Sequence, residues 1–259
     1  MKVHAKLCLI KKRVNNHTIH YGFVSTGNLN EKTALVYGDN CLLTSDRNIM
    51  ADVNRIFGYL EQPKNRPHFL KNCKTLMVSP TGMRKQLMQL INKEIKTAKT
   101  KKPASIILKL NSLSDELLIN KLYEAAKAGV EIKMVIRGIF CLITENKKFK
   151  IPIQAISIVD EYLEHARIMI FHNNGKEKTF ISSADWMVRN IDHRVEVACP
   201  IFEKNIQQEL KDILQIQLKD NTKARMLDNE LANQYVNPRN TKKVRSQVET
   251  YNYLFRKSF

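Results

Sequence analysis

A short pattern that occurs twice in the chain decides how its fold is interpreted. The first copy reads His4-Ala5-Lys6 and later Val24-Ser25-Thr26-Gly27-Asn28-Leu29, and the second reads His165-Ala166-Arg167 and later Ile181-Ser182-Ser183-Ala184-Asp185-Trp186. Successive side chains of a strand point to opposite faces, so the histidine and the cation two residues later should project together in each copy. The repeat therefore predicts two related structural units that each supply half of one site.

The composition is that of a globular protein that attracts polyanions. The chain has 259 residues, of which 43% are hydrophobic, and this is enough for one large core or two modest ones. Its 43 Lys and Arg residues exceed its 25 Asp and Glu residues and give a formal net charge of +18. This excess favours nucleic acid, an anionic membrane, a nucleotide or inorganic phosphate chains as partner, and charge alone does not choose among them.

The cysteines and the apolar segments indicate the compartment. Five scattered cysteines without a C-x-x-C pair argue against a disulfide framework and against a zinc site. No apolar stretch is long enough for a signal peptide or a membrane span. We therefore predict a cytoplasmic protein without a transmembrane segment, and peripheral association with a membrane is kept as an alternative.

The first part of the chain is predicted to be rich in sheet. Strands are expected at residues 3–10, 19–25 and 41–44. Asp46 is expected to cap a helix that reaches about residue 60. Pro63, Asn65 and Pro67 then break the pattern, so we place a domain boundary between residues 66 and 67.

The second part is predicted to contain a β-α-β crossover. Strands are expected at residues 75–79, 105–110, 130–136, 153–159, 168–171 and 179–182, and helices at 83–98, 115–128, about 203–218 and 240–256. Ser114 is expected to cap the second helix and Gly129 to end it, so the strands on either side should be parallel. Arg137 follows the second of these strands, at the sheet edge where open α/β sheets bind ligands. Arg137 is therefore a predicted ligand contact.

The residue types of the repeat suit the handling of phosphate. Imidazole has a reference pKa of about 6.5, so one histidine can be an uncharged nucleophile while the other donates a proton. Lys6 and Arg167 would neutralise non-bridging phosphate oxygens, and Asn28 would add an uncharged donor. Phosphoryl transfer depends mainly on such positioning and charge stabilisation. The predicted catalytic residues are therefore His4, His165, Lys6 and Arg167.

Longer strings extend the repeat and carry a family resemblance. They are residues 4–7, 25–34, 136–138, 157–160, 162–165, 182–187 and 223–225. Together they resemble the C-terminal half of the polyphosphate kinases, members of the phospholipase-D-like superfamily, whose active site combines H-x-K type motifs from two related halves. The resemblance implies an α/β fold of phospholipase-D-like mixed sheets flanked by helices. It also implies a partial first catalytic domain over residues 1–66 and a complete second one over residues 67–259.

The resemblance also implies a reaction and roles for single residues. The family reversibly transfers the terminal phosphate of ATP to inorganic polyphosphate through a phosphohistidine, and magnesium is required. By matching position, His4 would be phosphorylated, Tyr37, Arg137 and His165 would contact ATP or ADP, and Asn28 would be a further ligand contact. A phosphohistidine preserves transfer potential, so the reaction can run in both directions. For His165, proton donation and charge stabilisation both stay open.

The resemblance begins just before His4, whereas the family has further domains upstream. The ligands of magnesium are expected in that region, so no metal ligand is predicted in this chain. We expect the chain alone to be weakly active or inactive and to associate, either as a homo-oligomer or with the missing N-terminal half. Nucleic acid is not required as a partner.

Two other interpretations of the whole chain stay open, and so does the role of two arginines. The chain could be a phospholipase-D-like phosphodiesterase or nuclease, or an inactive fragment that binds polyanions. Arg189 and Arg194 are secondary candidates for lining a polyphosphate tunnel. An ion pair of these arginines with Asp192 or Glu196 is the structural alternative.

Overall fold

The computed structural model describes residues 1–64, 68–236 and 242–257. The strands are Lys2–Val3 (β1), Lys6–Val14 (β2), His17–Ser25 (β3), Tyr37–Gly38 (β4), Cys41–Thr44 (β5), Met77–Ser79 (β6), Ser105–Leu110 (β7), Glu131–Ile136 (β8), Gln154–Ile158 (β9), Leu163–Glu164 (β10), Arg167–Phe171 (β11), Lys178–Ser182 (β12), Arg194–Ile201 (β13) and Ala224–Met226 (β14). The helices are Glu31–Ala34 (α1), Arg47–Glu61 (α2), His68–Lys71 (α3), Met83–Lys99 (α4), Glu116–Ala128 (α5), Val188–His193 (α6), Lys204–Leu218 (α7) and Ser246–Lys257 (α8).

The largest sheet is mixed. Its strand order is β1-β13-β12-β11-β7-β8-β9-β14, and β6 also pairs with β13. Strands β7, β8 and β9 are parallel, whereas β11 is antiparallel to β7 and β12, and β13 is antiparallel to β12 and β6. The predicted α/β class with mixed sheets flanked by helices is therefore confirmed, as is the parallel pair on either side of α5.

Most strands of the first copy of the repeat lie in two smaller sheets, one of which includes a strand of the second copy. Strands β2, β3 and β5 form an antiparallel sheet, and β4 pairs in parallel with β10. Strand β1 pairs in parallel with β13. The segment up to residue 64 thus joins strands of the second copy at two places. The predicted domain boundary between residues 66 and 67 lies outside the described residues.

Helices cover both faces of the largest sheet. On one face, α4 and α5 bury residues such as Leu87 and Leu122 against the sheet. On the other, α2 and α7 bury Ile56 and Leu214 in a second cluster. A fully buried leucine or isoleucine contributes roughly 1.5–3 kcal/mol relative to an exposed one. The second cluster therefore holds the first copy of the repeat against the sheet of the second copy.

The helix ends follow the predicted signals with one exception. The Asp46 carboxylate accepts from the backbone N–H groups of residues 48 and 49, at 2.9 and 2.8 Å, as predicted. Gly129 ends α5 with a φ of 97°, a conformation that favours glycine. The prediction that Ser114 caps α5 is wrong, because Asp115 accepts from the Leu118 N–H at 3.1 Å. A carboxylate one residue later satisfies the same free donors.

Strand β13 and the last helix differ from the predictions. The predictions omit β13, because Arg194, Glu196 and Pro200 interrupt the apolar run expected of a central strand. The last helix begins at Ser246 instead of residue 240, and residues 237–241 lie outside the described part of the chain. Within residues 1–64, 68–236 and 242–257, no helix is long and apolar enough to cross a bilayer.

One edge of the three-stranded sheet is unpaired within the part of the chain that the structure describes. Strand β2 pairs with β3, and its other edge has no strand beside it. Ile10 and Val14 of this strand are exposed, as is Val3 of β1. An unpaired strand edge with exposed apolar side chains is therefore present at β2.

Candidate active site

Both copies of the repeat place the histidine in a two-residue break between strands. His4 and Ala5 separate β1 from β2, and His165 and Ala166 separate β10 from β11. The prediction that the histidine and the cation share one continuous strand is therefore wrong. The break lets both backbone N–H groups of each His-Ala pair bind a single carbonyl oxygen of the other copy, which a regular strand does not allow.

The backbone hydrogen bonds from the first copy to the second match those from the second copy to the first. The N–H groups of His4 and Ala5 donate to the carbonyl of Val195 at 2.9 and 3.0 Å. The N–H groups of His165 and Ala166 donate to the carbonyl of Gly38 at 3.2 and 3.0 Å. Val195 precedes Glu196, and Gly38 precedes Asp39. Each histidine therefore lies beside a carboxylate of the other copy.

His4 lies between a lysine and a fully buried carboxylate. The Lys6 Nζ atom is 2.9 Å from His4 Nε2, and the Glu196 carboxylate is 2.8 Å from His4 Nδ1. Asn190 donates to the same carboxylate at 2.7 Å. Burial lowers the pKa of Lys6 to about 8, although the nearby charge of Glu196 acts to raise it. We call His4 and Lys6 the first dyad.

His165 has the corresponding surroundings in the second dyad, which comprises His165 and Arg167. Arg167 Nη1 is 3.0 Å from His165 Nε2, and the Asp39 carboxylate is 2.9 Å from His165 Nδ1. Arg167 is buried and forms an ion pair with Asp185 at 3.0 Å. Burial disfavours ionisation of Asp39, but hydrogen bonds from His165 and Thr26 outweigh this and hold its pKa below the usual value.

A hydroxyl from each small polar turn supports the carboxylate that binds the histidine of the other copy. Thr26 Oγ1 donates to Asp39 at 2.7 Å, and Asp39 contacts His165. Ser183 Oγ donates to Glu196, which contacts His4. A hydrogen bond to an ionised acceptor is stronger than one between neutral groups. The turns therefore orient the histidines in a crossed arrangement.

Gly27 allows the first of these contacts to form. A Cβ atom at Gly27 would lie 1.9 Å from Asp39 Oδ2, whereas one at Gly38 would lie 3.5 Å from its nearest neighbour. The Asp39 carboxylate thus packs directly against the Gly27 backbone. A side chain at residue 27 would displace the carboxylate that holds His165.

The two dyads lie near each other. Lys6 pairs with Ser25 on β3, and Arg167 donates from Nη1 to the carbonyl of Thr26 at 3.4 Å. The positive charge of Arg167 lowers the pKa of Lys6, and the negative charges of Asp39 and Asp185 raise it, after the larger effects of burial and Glu196. The structure therefore brings together the four side chains predicted to be catalytic.

Tyr37 and Arg137 lie together beside the second dyad. Both line a cavity of about 290 Å³. The ring of Tyr37 is 4.9 Å from that of His165, centroid to centroid. Arg137 donates from Nη2 to Asn111, and its buried Nε has no hydrogen-bond partner within the described residues. The predicted nucleotide contacts are thus adjacent.

The other predicted contacts lie outside the dyads. Asn28 is exposed, and its side chain makes no hydrogen bond within the described ranges. Asp192 pairs with Arg84 at 2.6 Å, and Glu196 pairs with His4, so the alternative in which they bind Arg189 or Arg194 is wrong. A role of these two arginines in a polyphosphate tunnel stays a prediction.

Comparison with known proteins assigns the chain to a family. The model of Polyphosphate kinase C-terminal domain 1 matches residues 1–66, and that of Polyphosphate kinase C-terminal domain 2 matches residues 76–247. The chain belongs to the polyphosphate kinase family. The family predicted from the sequence is therefore confirmed.

Relatives from several bacteria match nearly the whole chain. The chain is 46% identical to the polyphosphate kinase of Vibrio cholerae serotype O1 and 44% identical to that of Escherichia coli K12, over 98% of this chain and 36% of each relative. The crystal structure of polyphosphate kinase from Porphyromonas gingivalis matches with a TM-score of 0.91 and 41% identity, over 98% of this chain and 39% of that one. The chain thus spans little more than a third of the length of these polyphosphate kinases.

In this polyphosphate kinase family member, the sequence predictions included the hydroxyls of the small polar turns, but as donors to phosphate, and did not identify the carboxylates that these hydroxyls bind. A signal for them is present, because Asp39 follows Thr26 by thirteen residues and Glu196 follows Ser183 by the same interval. Extending the repeat by this spacing would have found both carboxylates. The crossed pairing itself is a property of the fold.

Proposed function

We propose that the chain transfers the terminal phosphate of ATP reversibly to inorganic polyphosphate, with His4 as the residue that is phosphorylated. The observation that carries this proposal is the convergence of two histidine-cation dyads, each held by a carboxylate of the other copy. Two cations beside two imidazoles suit a reaction that moves a highly charged group between a nucleophile and a leaving group. Membership of the polyphosphate kinase family supports the same substrates.

The hydrogen bonds of His4 indicate which nitrogen reacts. Glu196 accepts a hydrogen bond from Nδ1, so the lone pair of the neutral imidazole lies on Nε2. Nε2 attacks the terminal phosphorus of ATP, a P–N bond forms, and the P–O bond to the ADP oxygen breaks with its electron pair on that oxygen. The Lys6 ammonium, now 2.9 Å from Nε2, would donate to the oxygens of the incoming phosphate.

The second transfer reverses the bonding at phosphorus. A terminal oxygen of the polyphosphate chain attacks the phosphorus, the new P–O bond lengthens the chain by one unit, and the P–N electron pair returns to His4. Arg167 is buried beside His165 and would stabilise charge on the transferred group. His165 would donate a proton to the leaving oxygen or stabilise its charge.

Tyr37 and Arg137 would bind the nucleotide in the cavity beside His165. The Arg137 guanidinium would donate to a phosphate or sugar oxygen, and the Tyr37 ring would supply an apolar face. Asn28 would add a contact from the first turn, where its side chain is exposed. Because the cavity adjoins the dyads, a nucleotide bound in the cavity would have its phosphate end at the dyads.

Magnesium stays an expectation from the family resemblance. Within residues 1–64, 68–236 and 242–257, no group of three or more His, Cys, Asp or Glu side chains could hold a metal ion. Every step above uses side chains of this chain alone.

Association with another chain is also proposed. The unpaired edge of β2 and the exposed Ile10 and Val14 form a surface that another copy, or a region present in the longer relatives, would cover. We further propose that the chain alone is weakly active and that it acts in the cytoplasm, with peripheral membrane association as the alternative.

Labelling with ATP that carries γ-³²P tests the proposed function. The purified chain should acquire an acid-labile, base-stable label on His4, and His4→Ala should abolish it. His17→Ala, which removes an exposed histidine outside the dyads, is the matched control and should keep the label. Because a single turnover suffices for detection, weak activity of the isolated chain does not obscure the result.

The same preparation distinguishes the other interpretations. Cleavage of DNA or of phospholipid without ATP, lost in His4→Ala, would establish a phosphodiesterase instead. Binding of polyphosphate that His4→Ala leaves unchanged, with no label on the wild-type chain, would establish a fragment that only binds polyanions. Either result overturns the phosphotransfer proposal.

A further inference from the structure

A second large cleft lies at the opposite end of the central strands from the dyads. It has a volume of about 1020 Å³, and its lining includes Thr179 and Pro200. On β12, Thr179 is four residues before Ser183, and on β13, Pro200 is four residues after Glu196. At a rise of about 3.3 Å per residue, four residues span roughly 13 Å. The cleft is therefore separate from the candidate active site.

The charge of the cleft is strongly positive. Five exposed lysines line it, namely Lys74, Lys93, Lys176, Lys178 and Lys204. None of them forms an ion pair with another residue that the structure describes. The carboxylate in the lining, that of Glu177, is already paired with Lys211 at 2.6 Å. The cleft thus presents several cations without compensating anions.

The loop that presents two of these lysines is fixed to the core. Glu94 on α4 is fully buried and accepts from the backbone N–H of Asn173 at 2.6 Å. The Asn173 side chain donates to the carbonyl of Lys176 at 2.5 Å. Lys176 and Lys178 therefore project from a backbone whose position is set by buried hydrogen bonds, so little ordering is needed when a ligand binds.

Two buried polar atoms in the wall of the cleft have no partner within the described residues. They are Thr179 Oγ1 and Asn173 Oδ1, and both side chains are at least 95% buried. Unpartnered buried polar atoms cost free energy and are uncommon. The Thr179 hydroxyl can donate to a phosphate oxygen or to a water, whereas the Asn173 amide oxygen accepts only and needs a water or another donor. The wall of the cleft thus holds one hydroxyl donor beside its lysines.

We propose that this cleft is a second binding site for a linear inorganic phosphate chain. Lysine ammonium groups are compact charges on flexible stems, which suit a polymer with an anionic group on every unit. Nucleic acid sites combine cations with aromatic platforms for several bases, whereas Phe202 is the exposed aromatic side chain of this lining. The inference goes beyond the proposed phosphotransfer, because it assigns a ligand to a surface that the reaction does not use.

Lysine footprinting with acetic anhydride and mass spectrometry tests the inference, because it measures each lysine separately. Tripolyphosphate should protect Lys93, Lys176 and Lys178 and leave Lys99, Lys101 and Lys102 unchanged. The second set lies at the exposed end of α4 and on the turn that follows it, and it carries the same charge. Lys6 reports on the active site in the same experiment.

Substitutions test the affinity. Lys93→Gln/Lys176→Gln/Lys178→Gln should weaken tripolyphosphate binding at the cleft by about tenfold in calorimetry, and the matched variant Lys99→Gln/Lys101→Gln/Lys102→Gln should not. Labelling of His4 should persist in both variants. All six positions are exposed, so the fold is expected to be retained, and circular dichroism checks this.

Two outcomes would overturn the inference. One is the absence of protection at the three cleft lysines at concentrations that saturate the protein. The other is stronger protection by ADP or by single-stranded DNA than by tripolyphosphate, since this would assign another ligand. Protection of the cleft without labelling of His4 would leave the second site intact and reject the phosphotransfer proposal instead.

Discussion

Glu196 lies 2.8 Å from His4, although the two residues belong to different copies of the repeat. Asp39 has the reciprocal relationship to His165, at 2.9 Å. Neither copy therefore contains a complete histidine site of its own. A substitution in one copy should therefore affect the histidine of the other copy.

Replacing Glu196 should impair the nucleophile and spare the second dyad. Glu196→Gln removes the charge that holds Nδ1 of His4, so we expect the rate of His4 labelling to fall by roughly 10²- to 10⁴-fold. Nitrogen NMR of the imidazoles should show a changed tautomer balance for His4. The matched variant, Asp39→Asn, should change the His165 signals instead. Unchanged His4 signals in Glu196→Gln would contradict the crossed assignment.

The supporting hydroxyls should act across the copies in the same way. Ser183→Ala removes the hydrogen bond to Glu196, and loss of a bond to a charged group costs about 1.5–3 kcal/mol. We expect His4 labelling to slow by about tenfold or more. Ser183→Thr keeps a hydroxyl and should restore most of the rate. Equal rates in both variants would show that this hydroxyl has no positioning role.

A methyl group at Gly27 should disturb the second dyad. In Gly27→Ala, the added Cβ would lie 1.9 Å from Asp39 Oδ2, so the carboxylate must move away from His165. We expect destabilisation of about 1–3 kcal/mol and altered His165 signals. Gly38→Ala is the control, because its Cβ would meet its nearest neighbour at 3.5 Å. Thermal unfolding and NMR measure both effects, and equal behaviour of the two variants would contradict the prediction.

The lowered pKa of Lys6 predicts a pH dependence of stability. The unfolded chain keeps the lysine protonated up to about pH 10.5, whereas the folded chain releases the proton near pH 8. The unfolded state binds more protons between these values, so this group makes the folded state more stable as pH rises from 8 to 10.5. Lys6→Met should therefore be more heat-stable than wild type at pH 7, and this advantage should shrink by pH 10.

Thermal unfolding at the two pH values checks this prediction. A shift of roughly 2–4 °C corresponds to each 1 kcal/mol in a chain of this size. The exposed variant Lys178→Met is the control and should show no comparable advantage. An advantage of Lys6→Met that grows with pH would contradict the prediction.

The sequence by itself determined the repeat, the net positive charge and the family. Local signals also placed α2, α4 and the parallel pair β7 and β8, because apolar periodicity and helix ends depend on near neighbours. His4, Lys6, His165 and Arg167 were identifiable because their spacing within each copy is short.

Only the tertiary structure decided that a carboxylate of each copy binds the histidine of the other copy. His4 and Glu196 are 192 residues apart, and His165 and Asp39 are 126 residues apart, so no local pattern pairs them. The breaks at His4–Ala5 and His165–Ala166 were also not predictable, because each depends on a carbonyl from the other copy. A strand can break at a backbone N–H group when a distant carbonyl accepts its hydrogen bond. That carbonyl is in place only when the chain is folded.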